Sequence, residues 1–135
     1  MTEKIHHIGI AVNKIEKSLN KWTRLFNLKK EEIEEIKDRG VRVVTLQFDH
    51  GPLIELLEAV GDDSPIKRFI NSHGEGIHHL CLKTDNLDQK VKELKREGIR
   101  FVQENPVSGA GGSRIIFIHP ENLNGVLIEL KEEKK

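Results

Sequence analysis

Two histidines and two glutamates recur at matching places in this chain, and imidazole with carboxylate is a donor set that suits a divalent metal ion. His7 lies in Ile5-His6-His7-Ile8-Gly9-Ile10-Ala11-Val12, and 72 positions on His79 lies in Ile77-His78-His79-Leu80-Cys81-Leu82. Glu55 lies in Ile54-Glu55-Leu56-Leu57-Glu58, and 74 positions on Glu129 lies in Ile128-Glu129-Leu130-Lys131-Glu132. A duplicated module, each copy with one His near its start and one Glu near its end, accounts for both echoes. Strand alternation chooses within each His-His pair, because successive side chains point to opposite faces. His6 goes with Ile8, Ile10 and Val12 on an apolar face that suits packing under a helix. His7 goes with Gly9 and Ala11, small residues that leave room around an imidazole, and His79 goes with Cys81. By the same parity Glu55 and Glu129 each oppose their Ile and Leu neighbours. His7, Glu55, His79 and Glu129 are therefore the candidate metal ligands.

The elements that must carry them follow from the pattern along the chain. The spacing predicts a strand over 5–12, then a helix with Asn13 as N-cap, Glu16 three residues on, and Ile15, Leu19, Trp22 and Phe26 as its stripe. Residues 28–37 read as an exposed edge strand, 41–48 as a β-branched strand and 53–59 as the strand with Glu55. Ser64-Pro65 opens a linker helix over about 64–72. The second copy predicts a strand over 76–84, N-cap Asp85, a helix with Leu87, Val91 and Leu94, and strands over 99–103, 113–118 and 125–130. The class expected is α+β: a single domain over 1–135, with module one at about 1–60 and module two at about 76–135, both βαβββ, forming a curved mixed sheet around a metal site.

The run Gly109 to Gly112 with Ser113 and Arg114 has two readings. Its backbone amides at Gly111 and Gly112, with Ser113 and Arg114 beside them, suit a carboxylate of a substrate. Equally, it is a long hairpin turn. His50, His73 and His119 read as turn residues.

Composition narrows the partners. Lys and Arg total 22 and Asp and Glu total 22, so the zero net charge argues against nucleic acid. No apolar run reaches membrane-spanning length, so no membrane is expected. Cys81 is the single cysteine, which precludes an intrachain disulfide and fits a reducing cytoplasm.

These stretches resemble the vicinal oxygen chelate superfamily, whose members pair two βαβββ modules around a divalent metal. Gly74-Glu75-Gly76-Ile77-His78-His79 and Phe117-Ile118-His119-Pro120 resemble, more narrowly, its methylmalonyl-CoA epimerase family. The resemblance implies metal ligands at His7, Glu55, His79 and Glu129, one divalent ion (Co²⁺, Mn²⁺, Zn²⁺ or Ni²⁺), methylmalonyl-CoA as substrate and a homodimer. It also implies α-proton abstraction through a metal-stabilised enolate. Some epimerases of that family carry Gln as second ligand and a separate Glu as base; here the ligand is Glu55 and the base position is Val43. Glu55 and Glu129 are accordingly the candidate catalytic residues. A glyoxalase or a metal-free binding protein of the same superfamily is the alternative.

Overall fold

The computed structural model describes residues 3–133; the outermost residues of both expected modules lie outside that range. Two compact units emerge, one of His7–His78 and one of His79–Lys135 with Met1–His6. Each holds one strand–helix–strands module, so the α+β class with two βαβββ modules is the one observed.

The first unit runs β1 (Lys4–Ala11, which begins in the other unit), α1 (Ile15–Leu25), β2 (Lys29–Lys30), β3 (Glu34–Ile36), β4 (Val41–Gln47), β5 (Leu53–Ala59) and α2 (Pro65–His73). β1 pairs in parallel with β5, β5 antiparallel with β4, and β2 and β3 both lie antiparallel along β4. The expected edge strand over 28–37 is thus two short pieces, in keeping with its charge density and poor alternation. On one sheet face Ile15 and Leu19 of α1 pack with Val12, Val44, Leu46 and Leu56. A helix of 11 residues is marginal alone, so this stripe holds it, at about 1.5–3 kcal/mol for each fully buried Ile or Leu. On the other face α2 sets Ile66, Phe69 and Ile70 against Ala11, Val41, Val43 and Leu57. The linker helix is therefore part of the first unit's core. Ser64 caps it as expected, its hydroxyl accepting from Ile66 N–H at 3.2 Å, with Pro65 in the first turn.

The second unit runs β6 (Gly76–Lys83, which begins in the first unit), α3 (Leu87–Arg96), β7 (Val107–Ser108), β8 (Arg114–Ile118) and β9 (Ile128–Glu132). β6 pairs in parallel with β9, β9 antiparallel with β8, and β8 antiparallel with β7. Leu87 and Val91 of α3 pack on Ile116, Ile118, Ile128 and Leu130. The strand expected over 99–103 is only a bridge from Phe101 to Ile118, flanked by hydrogen bonds from Val102 N–H to Phe117 C=O and from His119 N–H to Arg100 C=O, and β7 pairs farther along the same edge. Among the described residues no helix is long and apolar enough to cross a membrane.

Candidate metal and proton-transfer site

In the first unit His7, Gly9 and Ala11 share the face of β1 that turns away from α1. Gly9 is the β5 partner of Glu55. With no side chain at Gly9, the Glu55 carboxylate leans along the sheet to His7, and Nε2 and Oε1 stand 3.2 Å apart. Both residues are buried, at 1% and 5% exposure. In the second unit Cys81 is the β9 partner of Glu129, and the same lean brings Glu129 Oε1 to 3.0 Å from His79 Nε2. These two are buried as well. The ring of Phe117, which pairs with Glu129 from β8, meets His79 edge-on at 5.7 Å.

Each pair fits a metal's needs. Ligands at right angles on one ion, each about 2.1 Å away, stand about 3.0 Å from each other. An imidazole nitrogen and a carboxylate oxygen at that spacing, screened from water, are donors that suit a divalent ion.

The other histidines do different things. His78 meets Phe69 edge-on at 5.0 Å and so packs in the first unit. His6 was expected among apolar residues, yet its Nε2 stands 3.5 Å from Glu133 Oε2. Burial, followed by the charge of Lys131, holds its pKa below the ordinary histidine value. His73 ends α2 and stacks on Phe69, and His119 accepts from Glu121 N–H at a turn.

The glycine-rich run forms a single tight turn over Ala110–Gly112. Gly111 and Gly112 adopt positive φ of 66° and 75°, a region that favours glycine. A Cβ on Gly109 would fall 2.8 Å from Ile115 and 2.9 Å from the Ser113 hydroxyl, so the turn is closely packed. Ser113 is buried and donates to Ala110 C=O at 2.7 Å. Arg114 faces α3, where it grips Asp88 through two nitrogens at 3.2 and 2.9 Å.

That grip belongs to a second duplicated constellation, which the sequence analysis did not single out. Arg42, 72 positions before Arg114, binds Glu16 at 2.7 Å and Glu58 at 3.2 Å. Glu58 in turn accepts the Ile15 N–H at 2.8 Å, closing the first turn of α1. In the second unit Arg114 stands between Asp88 and Glu132, and Glu132 accepts the Leu87 N–H at 2.8 Å. The capping residues are thus not those expected. Lys14 occupies the N-cap of α1 with no side-chain bond, and Asn86, not Asp85, caps α3 by accepting from Gln89 N–H. The signal was present: Glu58 and Glu132 end the two echoed Glu stretches, and Arg42 and Arg114 share the offset of the histidines.

With this geometry in hand, comparisons place the chain. Residues 6–117 match the family described as Glyoxalase/Bleomycin resistance protein/Dioxygenase superfamily. The mitochondrial methylmalonyl-CoA epimerase of Dictyostelium discoideum is 35% identical over 131 residues, spanning 96% of this chain and 78% of that one. The crystal structure of methylmalonyl-CoA epimerase from Mycobacterium tuberculosis superposes with a TM-score of 0.93 at 31% identity, covering 98% of this chain and 89% of that one. A methylmalonyl-CoA epimerase in complex with methylmalonyl-CoA and NH4+ superposes with a TM-score of 0.93 at 28% identity, covering 98% and 96%. The chain belongs to the glyoxalase/bleomycin resistance protein/dioxygenase superfamily and, within it, to the methylmalonyl-CoA epimerase family.

Proposed function

We propose that the protein is a metal-dependent epimerase that interconverts (2R)- and (2S)-methylmalonyl-CoA. The observation that carries this reading is the duplication of a buried His–Glu pair, His7 with Glu55 and His79 with Glu129. Membership of a family whose named relatives act on this substrate supports it. These four side chains would hold one divalent ion, which would supply positive charge to offset the negative charge that develops as the α-proton leaves.

The chain's own residues do the rest. The substrate's α-carbon lies between a thioester and a carboxylate, so its C–H is already acidified. Inversion needs a base for one face and an acid for the other. Val43 packs among Ala11, Val41, Leu57 and Ile66, so no carboxylate stands at that position. Glu55 and Glu129 serve as the proton-transfer pair, one Oε taking the proton and the other returning one to the opposite face. General acid–base help of this kind contributes about 10²–10⁴-fold. The backbone of the Gly111–Gly112 turn holds the substrate carboxylate, and Ser113, whose N–H and hydroxyl both donate to Ala110 C=O at 3.3 and 2.7 Å, fixes that turn. Arg114, committed to Asp88, contributes to the frame rather than the charge at the substrate. The reading includes a homodimer and a reducing cytoplasmic setting, in keeping with a single buried cysteine.

The test is an assay on chelator-treated protein with (2R)- and (2S)-methylmalonyl-CoA in deuterated water, with Co²⁺, Mn²⁺, Zn²⁺ or Ni²⁺ added back. Metal-restored interconversion with deuterium at the α-carbon is expected. Glyoxalase turnover without deuterium uptake by methylmalonyl-CoA would overturn the reading.

A further inference from the structure

The two modules differ at one place in a way that points to a second ligand site. In the second unit Lys90 of α3 forms a 2.7 Å ion pair with Glu3, the residue that leads into β1. The equivalents 72 positions away are Ser18 of α1 and Glu75, the residue that leads into β6. Ser18 is too short to reach a carboxylate as Lys90 does. Glu75 instead accepts the Asn13 N–H at 2.7 Å and lines one end of a cavity of about 450 Å³. Lys14, Lys17 and Lys21 line it together with Trp22.

Those lysines are one basic face, at i, i+3 and i+7, spread over about 10 Å of helix axis. Their counterparts on α3 are Asn86, Gln89 and Glu93, so the charge is particular to this module. All three lysines are exposed, whereas Lys67, Lys83 and Lys90 are tied into ion pairs. Trp22 is half-buried, and its counterpart on α3 is the aliphatic Leu94. A row of ammonium groups next to an indole is complementary to phosphates joined to a planar base.

We propose that this groove binds the diphosphate and base of an adenine nucleotide, with Lys14, Lys17 and Lys21 on the phosphates and Trp22 against the ring. The nucleotide is either free or the nucleotide end of a CoA thioester, and the two share this chemistry. The inference stands on the groove alone and needs no turnover.

Trp22 is the only tryptophan, so its fluorescence reports on the groove directly. Titration with ADP at low ionic strength is expected to give saturable quenching, weakened roughly tenfold or more by Lys17→Glu with Lys21→Glu. Ser18→Lys is the sharper variant, because it rebuilds the ion pair of the other module with Glu75. Although it adds positive charge, it is expected to close the groove and weaken ADP binding. Non-specific attraction predicts the reverse. Absence of saturable quenching, or tighter binding by Ser18→Lys, overturns the proposal whatever the epimerase assay gives. Displacement of ADP by coenzyme A assigns the groove to the substrate's own nucleotide end, and independent binding assigns it to a free nucleotide. Melting curves of all variants should match the parent, since the substituted residues lie on the surface or at its edge.

Discussion

The His7–Glu55 and His79–Glu129 pairs are built alike but walled differently. In both, the glutamate leans along the sheet past a small neighbour, Gly9 or Cys81, to the histidine two residues back in the adjoining strand. The antiparallel neighbour of Glu55 is the half-buried Thr45, whereas that of Glu129 is Phe117, which also fixes the His79 ring. Duplication has kept the donors at 3.2 and 3.0 Å while the third wall has changed from hydroxyl to aromatic. The donor spacing is thus shared by the two halves, and the wall follows what each half packs.

The strongest way to break the likeness is to remove one donor from each half. His7→Ala and His79→Ala should each weaken divalent metal binding by more than the roughly 10–100-fold typical of an outer-shell partner, read by calorimetry. Glu55→Ala and Glu129→Ala should do the same, while His78→Ala should retain the ion. If His78→Ala loses metal and His79→Ala keeps it, the two faces of β6 have been assigned the wrong way round.

Next in size is the separation of binding from proton transfer. Glu55→Gln should keep the ion, since the amide oxygen still coordinates, yet lose about 10²–10⁴-fold in turnover. Val43→Glu added to it should recover part of the rate at a cost in melting temperature, because Val43 sits in an apolar cluster. Full activity in metal-replete Glu55→Gln would show that Glu55 only binds.

The differing walls set the third comparison. Phe117→Ala should cost about 3–5 kcal/mol by denaturant titration, as for other buried aromatics. Thr45→Ala should stay within about 0.5 kcal/mol, as for a half-exposed side chain. Equal losses at the two positions would mean that the walls are interchangeable.

The smallest effects belong to the helix latches. Glu58→Ala and Glu132→Ala should each cost about 1 kcal/mol, the usual worth of a helix cap. Hydrogen bonds from Arg42 and Arg114 hold Glu16 and Asp88, respectively, below the ordinary carboxylate range. A depressed folded-state pKa gives stability that is present above the unfolded value and lost as pH falls through the folded one. The difference between parent and Arg42→Gln or Arg114→Gln should therefore be full near neutrality and fade below about pH 4. A difference that persists undiminished at pH 2 would exclude the ion pairs as its source.

Legibility in the sequence followed the range of the interaction. Strand parity and the repeat are local signals, and they led to four residues that the structure buries as two facing pairs. The helix stripes of Ile15, Leu19, Leu87 and Val91 were legible for the same reason. The caps were not. Asn13 and Asp85 have the right chemistry in the wrong place, because a carboxylate from a strand more than 40 residues later does the work. Arg114 was drawn toward the substrate by its glycine neighbours, but one residue of strand alternation turns it to α3 and Asp88. The strand expected over 99–103 is cut to a short bridged stretch against Phe117–His119, and β7 pairs farther along the same edge, with Arg114 and Ile115.

Each helix latch arrives late when the chain is made from its N-terminus. The Ile15 N–H waits for Glu58 and the Leu87 N–H for Glu132, separations of 43 and 45 residues. At ribosomal speeds that is a delay of about 2–9 s. Through that interval α1 and α3 are short amphipathic helices with open first turns and no sheet to lie on, poorly stable by themselves. They become fixed only when the final strand of their own module pairs and delivers its carboxylate. Completion of each module runs backwards, from its last strand to its first helix.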